Sequence, residues 1–235
     1  MSKEKGKLLE IEVIRSRRGG VEYRNANPLM PQWPFRWLIT GASSSGKTQI
    51  VANAILKGWL IFDRLILILK NRDQDVYDAI LEHVEKAAEG FSEEVKERVM
   101  VLEEVPPLSE MKKFGQTLVV FDDFLKSREQ NRIIEDYFIN SRHKNFSLIY
   151  LSQSFYTTPR DIRLNCNYFS LMKGMNRRSL DSLYRDLGIG GVSRDQFVEI
   201  YNMATKEKYG FLFIDLVTQH LTMMFRQGFD GLYQR

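Results

Sequence analysis

The chain has 235 residues, a formal net charge of +4 and a calculated isoelectric point near 9.0. Its composition, 43% hydrophobic and 27% charged, is that of a globular protein and excludes an intrinsically disordered one. Cys166 is the one cysteine, which excludes a disulfide framework, and no apolar run approaches the roughly 18 residues of a membrane span. The sequence therefore predicts a soluble, intracellular protein without a membrane partner.

Residues 1–34 are predicted to form an N-terminal extension. Within it, residues 9–13 alternate apolar with acidic side chains, a pattern typical of an edge strand. Prolines at positions 28, 31 and 34 are incompatible with a helix and mark a boundary. Residues 35–235 are therefore expected to form the main domain.

From position 35 onward, short apolar runs alternate with segments of helical periodicity. The predicted strands are 35–40, 64–69, 99–102, 118–121, 147–151 and 168–172. The predicted helices are 47–57, 74–88, 128–140 and 177–187. Nearly continuous apolar strands separated by helices indicate an α/β fold with a mainly parallel sheet covered on both faces. Two further strand-like runs, 209–216 and 220–225, predict a C-terminal β-hairpin.

A phosphate-binding motif lies between the first predicted strand and the first predicted helix. The pattern G-x-x-x-x-G-K-[ST] is matched by Gly41, Ala42, Ser43, Ser44, Ser45, Gly46, Lys47 and Thr48. Backbone amides of such a loop surround the phosphates, Lys47 can reach the β- and γ-phosphates, and the Thr48 hydroxyl can bind Mg²⁺. The alternative is a Gly- and Ser-rich turn that precedes a helix by chance. The strand before the motif and the helix after it favour a nucleotide site, with ATP and Mg²⁺ as ligands.

Two carboxylates follow the predicted strand 118–121. Ligands bind at the carboxyl ends of strands in α/β sheets, so Asp122 is expected to hold Mg²⁺. Asp123 is expected to orient or deprotonate the attacking water. The alternative is an acidic N-cap for the helix that follows.

A glutamine ends the next apolar strand along the chain, 147–151. Gln153 is expected to hydrogen-bond the γ-phosphate or the water and so to sense hydrolysis. The alternative is a polar side chain that only ends a strand.

The sequence around these motifs resembles the genome-packaging ATPases of double-stranded DNA viruses, of the poxvirus, giant-virus and virophage type, in the FtsK–HerA division of P-loop NTPases. The resemblance spans roughly residues 35–190. It rests on FRWLITGASSSGKT, LVVFDDF, SRHKN with LIYLSQS, and PRDIRLNCN. It implies a RecA-like core, a homo-oligomeric ring (pentamer or hexamer) and ATP-driven movement of double-stranded DNA into a capsid. It also implies capsid or portal-vertex proteins as partners. The location it implies is the host cytoplasm at the site of virus assembly, with the virion as a second location.

Arg142 is expected to be an arginine finger. It follows the predicted helix 128–140, and the strand after it spans roughly 17 Å at about 3.3 Å per residue. Arg142 therefore starts near the opposite end of the sheet from its own γ-phosphate, so it could serve catalysis only in a neighbouring subunit. Cations also suit a helix C-terminus, whose partial charge is negative. The resemblance favours the finger.

A cluster of basic side chains is the predicted DNA contact. The basic residues between positions 159 and 194 are Arg160, Arg163, Lys173, Arg177, Arg178, Arg185 and Arg194. Such a cluster binds phosphates regardless of sequence, and Arg160 and Arg163 are the expected contacts. For Arg177 to Arg185 the alternative is a solvated helix face with ion pairs within the helix.

Other functions fit parts of the pattern. A nucleotide or small-molecule kinase would need an Arg-rich lid, which the sequence does not indicate. A nucleotide-gated scaffold would not need Lys47, Asp122 and Gln153 together. A cellular DNA translocase or helicase of the same division is the nearest alternative, and DNA-stimulated ATPase activity and oligomer mass are the measurements that bear on it.

Overall fold

The computed structural model describes residues 25, 27–70, 75–87, 98–124, 127–218 and 220–232. The edge strand predicted over residues 9–13 lies outside the described residues. Within the described ranges, no helix has the length and apolar character needed to cross a bilayer.

A single sheet of nine strands organises the described chain. The strands are β1 (Arg36–Thr40), β2 (Arg64–Leu69), β3 (Val99–Leu102), β4 (Thr117–Asp122), β5 (Phe146–Ser152), β6 (Tyr168–Met172), β7 (Phe211–Asp215), β8 (Phe225–Gln227) and β9 (Gly231–Leu232). Their order in the sheet is β3-β2-β4-β5-β1-β6-β7-β8-β9. The first six pair in parallel and the last three pair antiparallel, which confirms the predicted α/β fold and its mainly parallel sheet.

Helices cover both faces of this sheet. They are α1 (Lys47–Leu56), α2 (Asp75–Ala87), α3 (Arg128–Asn140), α4 (Arg160–Asn165), α5 (Arg177–Asp186), α6 (Arg194–Ala204) and α7 (Leu221–Met224). Short 3₁₀ turns occupy Leu108–Glu110 and Ser141–Lys144. On one face α1 and α2 bury Val51, Ile55 and Ile80, and on the other α3 and α6 bury Phe138 and Phe197. Strands apolar on both sides, as β2 and β4 are, require this double cover.

The second strand of the predicted hairpin is wrong in its bounds. Residues 221–224 of the predicted run 220–225 form α7, and β8 begins only at Phe225. The amides of Met223 and Met224 both donate to the His220 carbonyl at 3.0 Å, so this run satisfies its backbone locally instead of in a ladder. The antiparallel pairing of β7 with β8 is confirmed, with a helical turn inside the connection.

Besides α7, two helices, α4 and α6, lie outside the predicted ones. A capping box starts α6: Ser193 Oγ accepts from the Gln196 amide at 3.2 Å, and Gln196 Oε1 accepts from the Ser193 amide at 2.7 Å. The Ser-x-x-Gln pattern was the sequence signal that would have predicted this helix.

One edge of the sheet collects the predicted site, and we call it the carboxyl edge. Strands β4, β5 and β1 are neighbours, with Asp122 level with Leu151 and Thr40 level with Ser152. Strand β7 begins at this same edge, because it runs antiparallel and pairs Phe211 with the end of β6. The turn after β8 also returns here.

Candidate nucleotide-binding site

The loop between β1 and α1 has the backbone of a phosphate cradle. Ser44 and Gly46 take left-handed conformations, with φ of 59° and 99°, and such steps let successive amides point into one concavity. A Cβ at Gly41 would lie 2.4 Å from the Cβ of Met172, so the start of the loop admits only glycine. Ser45 Oγ is buried without a hydrogen-bond partner in the described chain, and a phosphate oxygen would supply one.

Lys47 lies across this loop. Its Nζ donates to the carbonyl oxygens of Gly41 at 2.7 Å and Ala42 at 2.9 Å, and the residue is only 8% exposed. Burial lowers the pKa of Lys47, whereas the negative charges of Asp122 and Asp123 raise it. The amine is therefore held between the loop and two carboxylates, where a phosphate-binding cation is needed.

A buried hydrogen-bond chain joins three elements at the predicted metal site. The Tyr77 hydroxyl, from α2, donates to Asp122 Oδ2 at 2.6 Å and is also hydrogen-bonded to the Thr48 hydroxyl. Burial raises the pKa of Tyr77 and the charge of Asp122 raises it further, so the phenol stays a donor. Burial also raises the pKa of Asp122, against the lowering effect of the Tyr77 hydrogen bond. Sequence reasoning missed Tyr77.

Asp123, which is predicted to activate water, contacts Gln153, which is predicted to sense hydrolysis. Gln153 Nε2 donates to Asp123 Oδ2 at 2.6 Å, and the Asp123 amide donates to the Leu151 carbonyl at 3.1 Å. Asp123 itself has a left-handed φ of 48°, which turns it out of line with β4. Unlike Asp122, this pair is open to solvent, so water can reach it.

A cavity of about 920 Å³ connects these groups. Its polar part contains the P-loop together with Asp122, Asp123 and Gln153. The other lining residues are Gln49, Ile50, Asn53, Trp59, Lys70, Tyr209, Phe211 and Phe229. The structure therefore brings Lys47, Asp123 and Gln153, predicted as catalytic, into one cavity with the predicted P-loop.

The donor set fits Mg²⁺ together with a nucleotide. Magnesium prefers oxygen ligands and is usually held by one or two protein groups plus phosphates. Thr48 and Asp122 supply a hydroxyl and a carboxylate of this kind on neighbouring elements. No cluster of three or more His, Cys, Asp or Glu side chains suited to a metal occurs among the described residues, so phosphate oxygens would complete the ion's shell.

Arg142 lies at the opposite edge of the sheet. It belongs to the 3₁₀ turn Ser141–Lys144, directly before β5, and is exposed. The seven residues of β5 separate it from Gln153, about 20 Å at ~3.3 Å per residue. The structure does not bring Arg142 to the cavity of its own chain.

Three of the seven residues of the basic cluster form ion pairs within the chain. Arg163 pairs with Asp186, Arg177 with Asp195 and Arg194 with Asp181. The Arg163 side chain is 12% exposed and also lies 4.7 Å from the ring centre of Phe155. Arg160, by contrast, is exposed at the start of α4. The two predicted DNA contacts therefore differ in their availability to phosphates.

Comparison with known proteins identifies relatives in sequence and in fold. The sequence model of a family described as Poxvirus A32 protein matches residues 23–220. The genome packaging NTPase B204 of Sulfolobus turreted icosahedral virus 2, in complex with sulfate, aligns at a TM-score of 0.55 and 15% identity, over 79% of this chain and 93% of that chain. B204 described as the DNA-packaging ATPase of Sulfolobus turreted icosahedral virus aligns at 0.54 and 15%, over 80% and 95%. The B204 complex with ATP-γ-S aligns at 0.50 and 15%, over 80% and 95%. These likenesses show a shared fold. A search of curated proteins gave no match.

Proposed function

The chain belongs to the poxvirus A32 protein family, and we propose on this premise that it is an ATP-hydrolysing motor that moves double-stranded DNA into a viral capsid. The observation that carries the proposal is one cavity holding Lys47, the buried Asp122 and the open Asp123–Gln153 pair. The fold shared with B204, a genome packaging NTPase that has been solved with ATP-γ-S, supports it.

The residues divide the chemistry between binding and hydrolysis. The P-loop amides and Lys47 bind the β- and γ-phosphates, and Thr48 and Asp122 hold Mg²⁺, which when bound neutralises phosphate charge. Asp123 orients the attacking water and accepts its proton, and Gln153 fixes the Asp123 carboxylate for this task. Solvent water can enter the site at this exposed Asp123–Gln153 pair.

A ring of five or six subunits would complete the site. Arg142 is beyond the reach of its own phosphates, so it acts in trans on the neighbouring subunit's ATP, where an arginine stabilises the transition state. The further partners are double-stranded DNA and capsid or portal-vertex proteins, met in the host cytoplasm where virions assemble.

Two carboxylate variants test this division. Asp122→Ala should lose Mg²⁺-dependent ATP binding, whereas Asp123→Asn should bind Mg·ATP and hydrolyse it about 10²- to 10⁴-fold more slowly, the range for loss of a general base. Binding is measured by calorimetry and turnover by phosphate release, with and without duplex DNA. Equal loss of binding in both variants would contradict the assignment. Phosphoryl transfer to a nucleoside monophosphate would identify a kinase instead.

A further inference from the structure

The cavity continues past the phosphates to a surface of aromatic rings. We call Trp59, Tyr209, Phe211 and Phe229 the aromatic wall; all four line the cavity. The ring centre of Phe229 lies 5.2 Å from that of Phe211 and 5.8 Å from that of Trp59, so these three rings are continuous. Trp59, Phe211 and Phe229 are half-buried: each packs against the core and also lines the cavity. The Lys57 ammonium lies 5.0 Å from the ring centre of Trp59.

Tyr209 joins this wall to the phosphate loop. Its Cδ1 lies 3.4 Å from the place where a Cβ on Gly46 would stand, so its ring extends over the loop. The residue is 57% exposed and has a left-handed φ of 65°. The Lys208 ammonium lies 5.0 Å from the ring centre of Tyr209, and the ring also lines the cavity.

The spacing along α1 matches a nucleotide. Asn53 lines the cavity six residues after Lys47, about 9 Å along the helix axis at ~1.5 Å per residue. That is comparable to the length of a nucleoside attached to phosphates. A nucleotide with its phosphates in the P-loop would therefore place its base between Asn53 and the aromatic wall.

The Asn53 amide is oriented by its own helix. Its Nδ2 donates to the Gln49 carbonyl at 2.8 Å. Its Oδ1 accepts no hydrogen bond from the described part of the chain, so a residue that lines the cavity keeps a free acceptor. Adenine presents an amino donor at the 6-position where guanine presents an oxygen acceptor.

We propose that the aromatic wall binds the nucleobase of the nucleotide and that Asn53 Oδ1 favours a 6-aminopurine over a 6-oxopurine. The proposal rests on the proposed function, because the phosphates must first occupy the P-loop. Base–aromatic stacking supplies affinity with any base, and the Asn53 acceptor supplies the preference. The C-terminal strands thereby become part of the ATP site: Arg226 Nη1 donates to the Phe229 carbonyl at 2.7 Å and to the Leu29 carbonyl at 2.8 Å, which fixes the turn that carries Phe229.

Affinities for ATP, GTP and inorganic tripolyphosphate, measured by calorimetry, separate the base from the phosphates. Tyr209→Ala should weaken ATP binding about tenfold, equal to about 1.4 kcal/mol, and leave tripolyphosphate binding unchanged. Tyr156→Ala is the matched control, because Tyr156 is 45% exposed and does not line the cavity. Asn53→Ala should lower the ATP-to-GTP affinity ratio about tenfold, equal to about 1.4 kcal/mol.

Tryptophan fluorescence gives a second readout. ATP, but not tripolyphosphate, should quench the emission of the wild-type chain, and Trp59→Phe should remove the quenching, because neither Trp33 nor Trp37 lines the cavity. If Tyr209→Ala weakens ATP and tripolyphosphate equally, or weakens neither, the base assignment is overturned while the phosphate site stands. If the wild-type chain binds neither probe, the proposed function itself fails.

Discussion

The two edges of the parallel sheet carry charged side chains that differ in burial and in hydrogen bonding. At the carboxyl edge, Lys47 and Asp122 are 8% and 9% exposed, and each has hydrogen-bond partners within the chain. At the other edge, the side chains of Arg142 and His143 are exposed and make no hydrogen bond or ion pair within the described ranges. The buried charges of the carboxyl edge are satisfied within the chain, whereas the exposed cations lie about 20 Å away, at ~3.3 Å per strand residue, where they can contact another molecule.

Lys47→Ala removes the positive charge at the centre of the carboxyl edge and should have the largest effect on activity. Hydrolysis should be abolished and nucleotide binding weakened, because the Lys47 amine lies at the P-loop, where it is also within the electrostatic influence of Asp122 and Asp123. The fold should persist, since the Lys47 amine bonds only to loop carbonyls. Phosphate release, tripolyphosphate calorimetry and circular dichroism measure the three outcomes. Wild-type turnover would remove the P-loop assignment.

Arg142→Ala tests whether the exposed arginine at the opposite edge of the sheet acts as an arginine finger. An arginine finger contributes about 10³- to 10⁵-fold in turnover, so the variant should be nearly inactive while its ATP affinity is kept. Mixing Arg142→Ala with Lys47→Ala subunits should restore part of the activity, because some interfaces would pair an intact P-loop with an intact Arg142.

A matched control on the same 3₁₀ turn is His143→Ala, which should leave turnover near the wild-type rate. If Arg142→Ala alone is nearly fully active, Arg142 is only a charge at a helix end and takes no part in catalysis.

Tyr77→Phe removes one hydroxyl from the buried hydrogen-bond chain at the carboxyl edge. Hydrogen bonds to charged groups contribute about 1.5–3 kcal/mol, and without this one the Asp122 carboxylate loses the donor that orients it. The Mg²⁺ concentration needed for half-maximal ATP binding should rise about tenfold, with tripolyphosphate binding in the absence of Mg²⁺ unchanged. Tyr137→Phe is the control, because its buried hydroxyl donates to the Pro106 carbonyl away from the site. An unchanged Mg²⁺ requirement would make Tyr77 a packing residue only.

The site at the carboxyl edge was largely predictable from sequence because each of its motifs is a short segment at the end of a strand. Residues 41–48 are contiguous, and Asp122, Asp123 and Gln153 each stand at the end of an apolar strand, so a parallel sheet brings them together without further information.

Tyr77, Tyr209 and Phe229 could not be predicted in the same way. Tyr77 reaches Asp122 only because β2 and β4 are neighbours, which places α2 over that strand end. Tyr209 and Phe229 reach the cavity only because β7 and β8 return antiparallel. Sequence patterns specify which face of an element is apolar, but they do not specify which elements become neighbours.

Arg160 and Arg163 provide the smallest contrast, between two arginines three residues apart in one helix. Sequence alone treats them alike as DNA contacts. In the structure Arg163 pairs with Asp186, donates to the Thr158 carbonyl at 3.1 Å and lies against Phe155, whereas Arg160 is exposed. Arg160→Glu should therefore lower DNA-stimulated hydrolysis a few-fold without changing the basal rate. It should also reduce the slope of log DNA affinity against log salt concentration by about 1, the value for one lost phosphate contact.

Arg163→Glu should instead lower the melting temperature, because it places a like charge beside Asp186 and removes the cation from the Phe155 ring. Thermal unfolding and DNA-titrated ATPase assays of the two variants separate a surface contact from a structural one. If the Arg160 variant keeps full DNA stimulation and an unchanged salt slope, the DNA path does not cross α4. If the Arg163 variant is as stable as the wild type and loses stimulation, the pairing with Asp186 opens when DNA binds, and both arginines belong to the DNA surface.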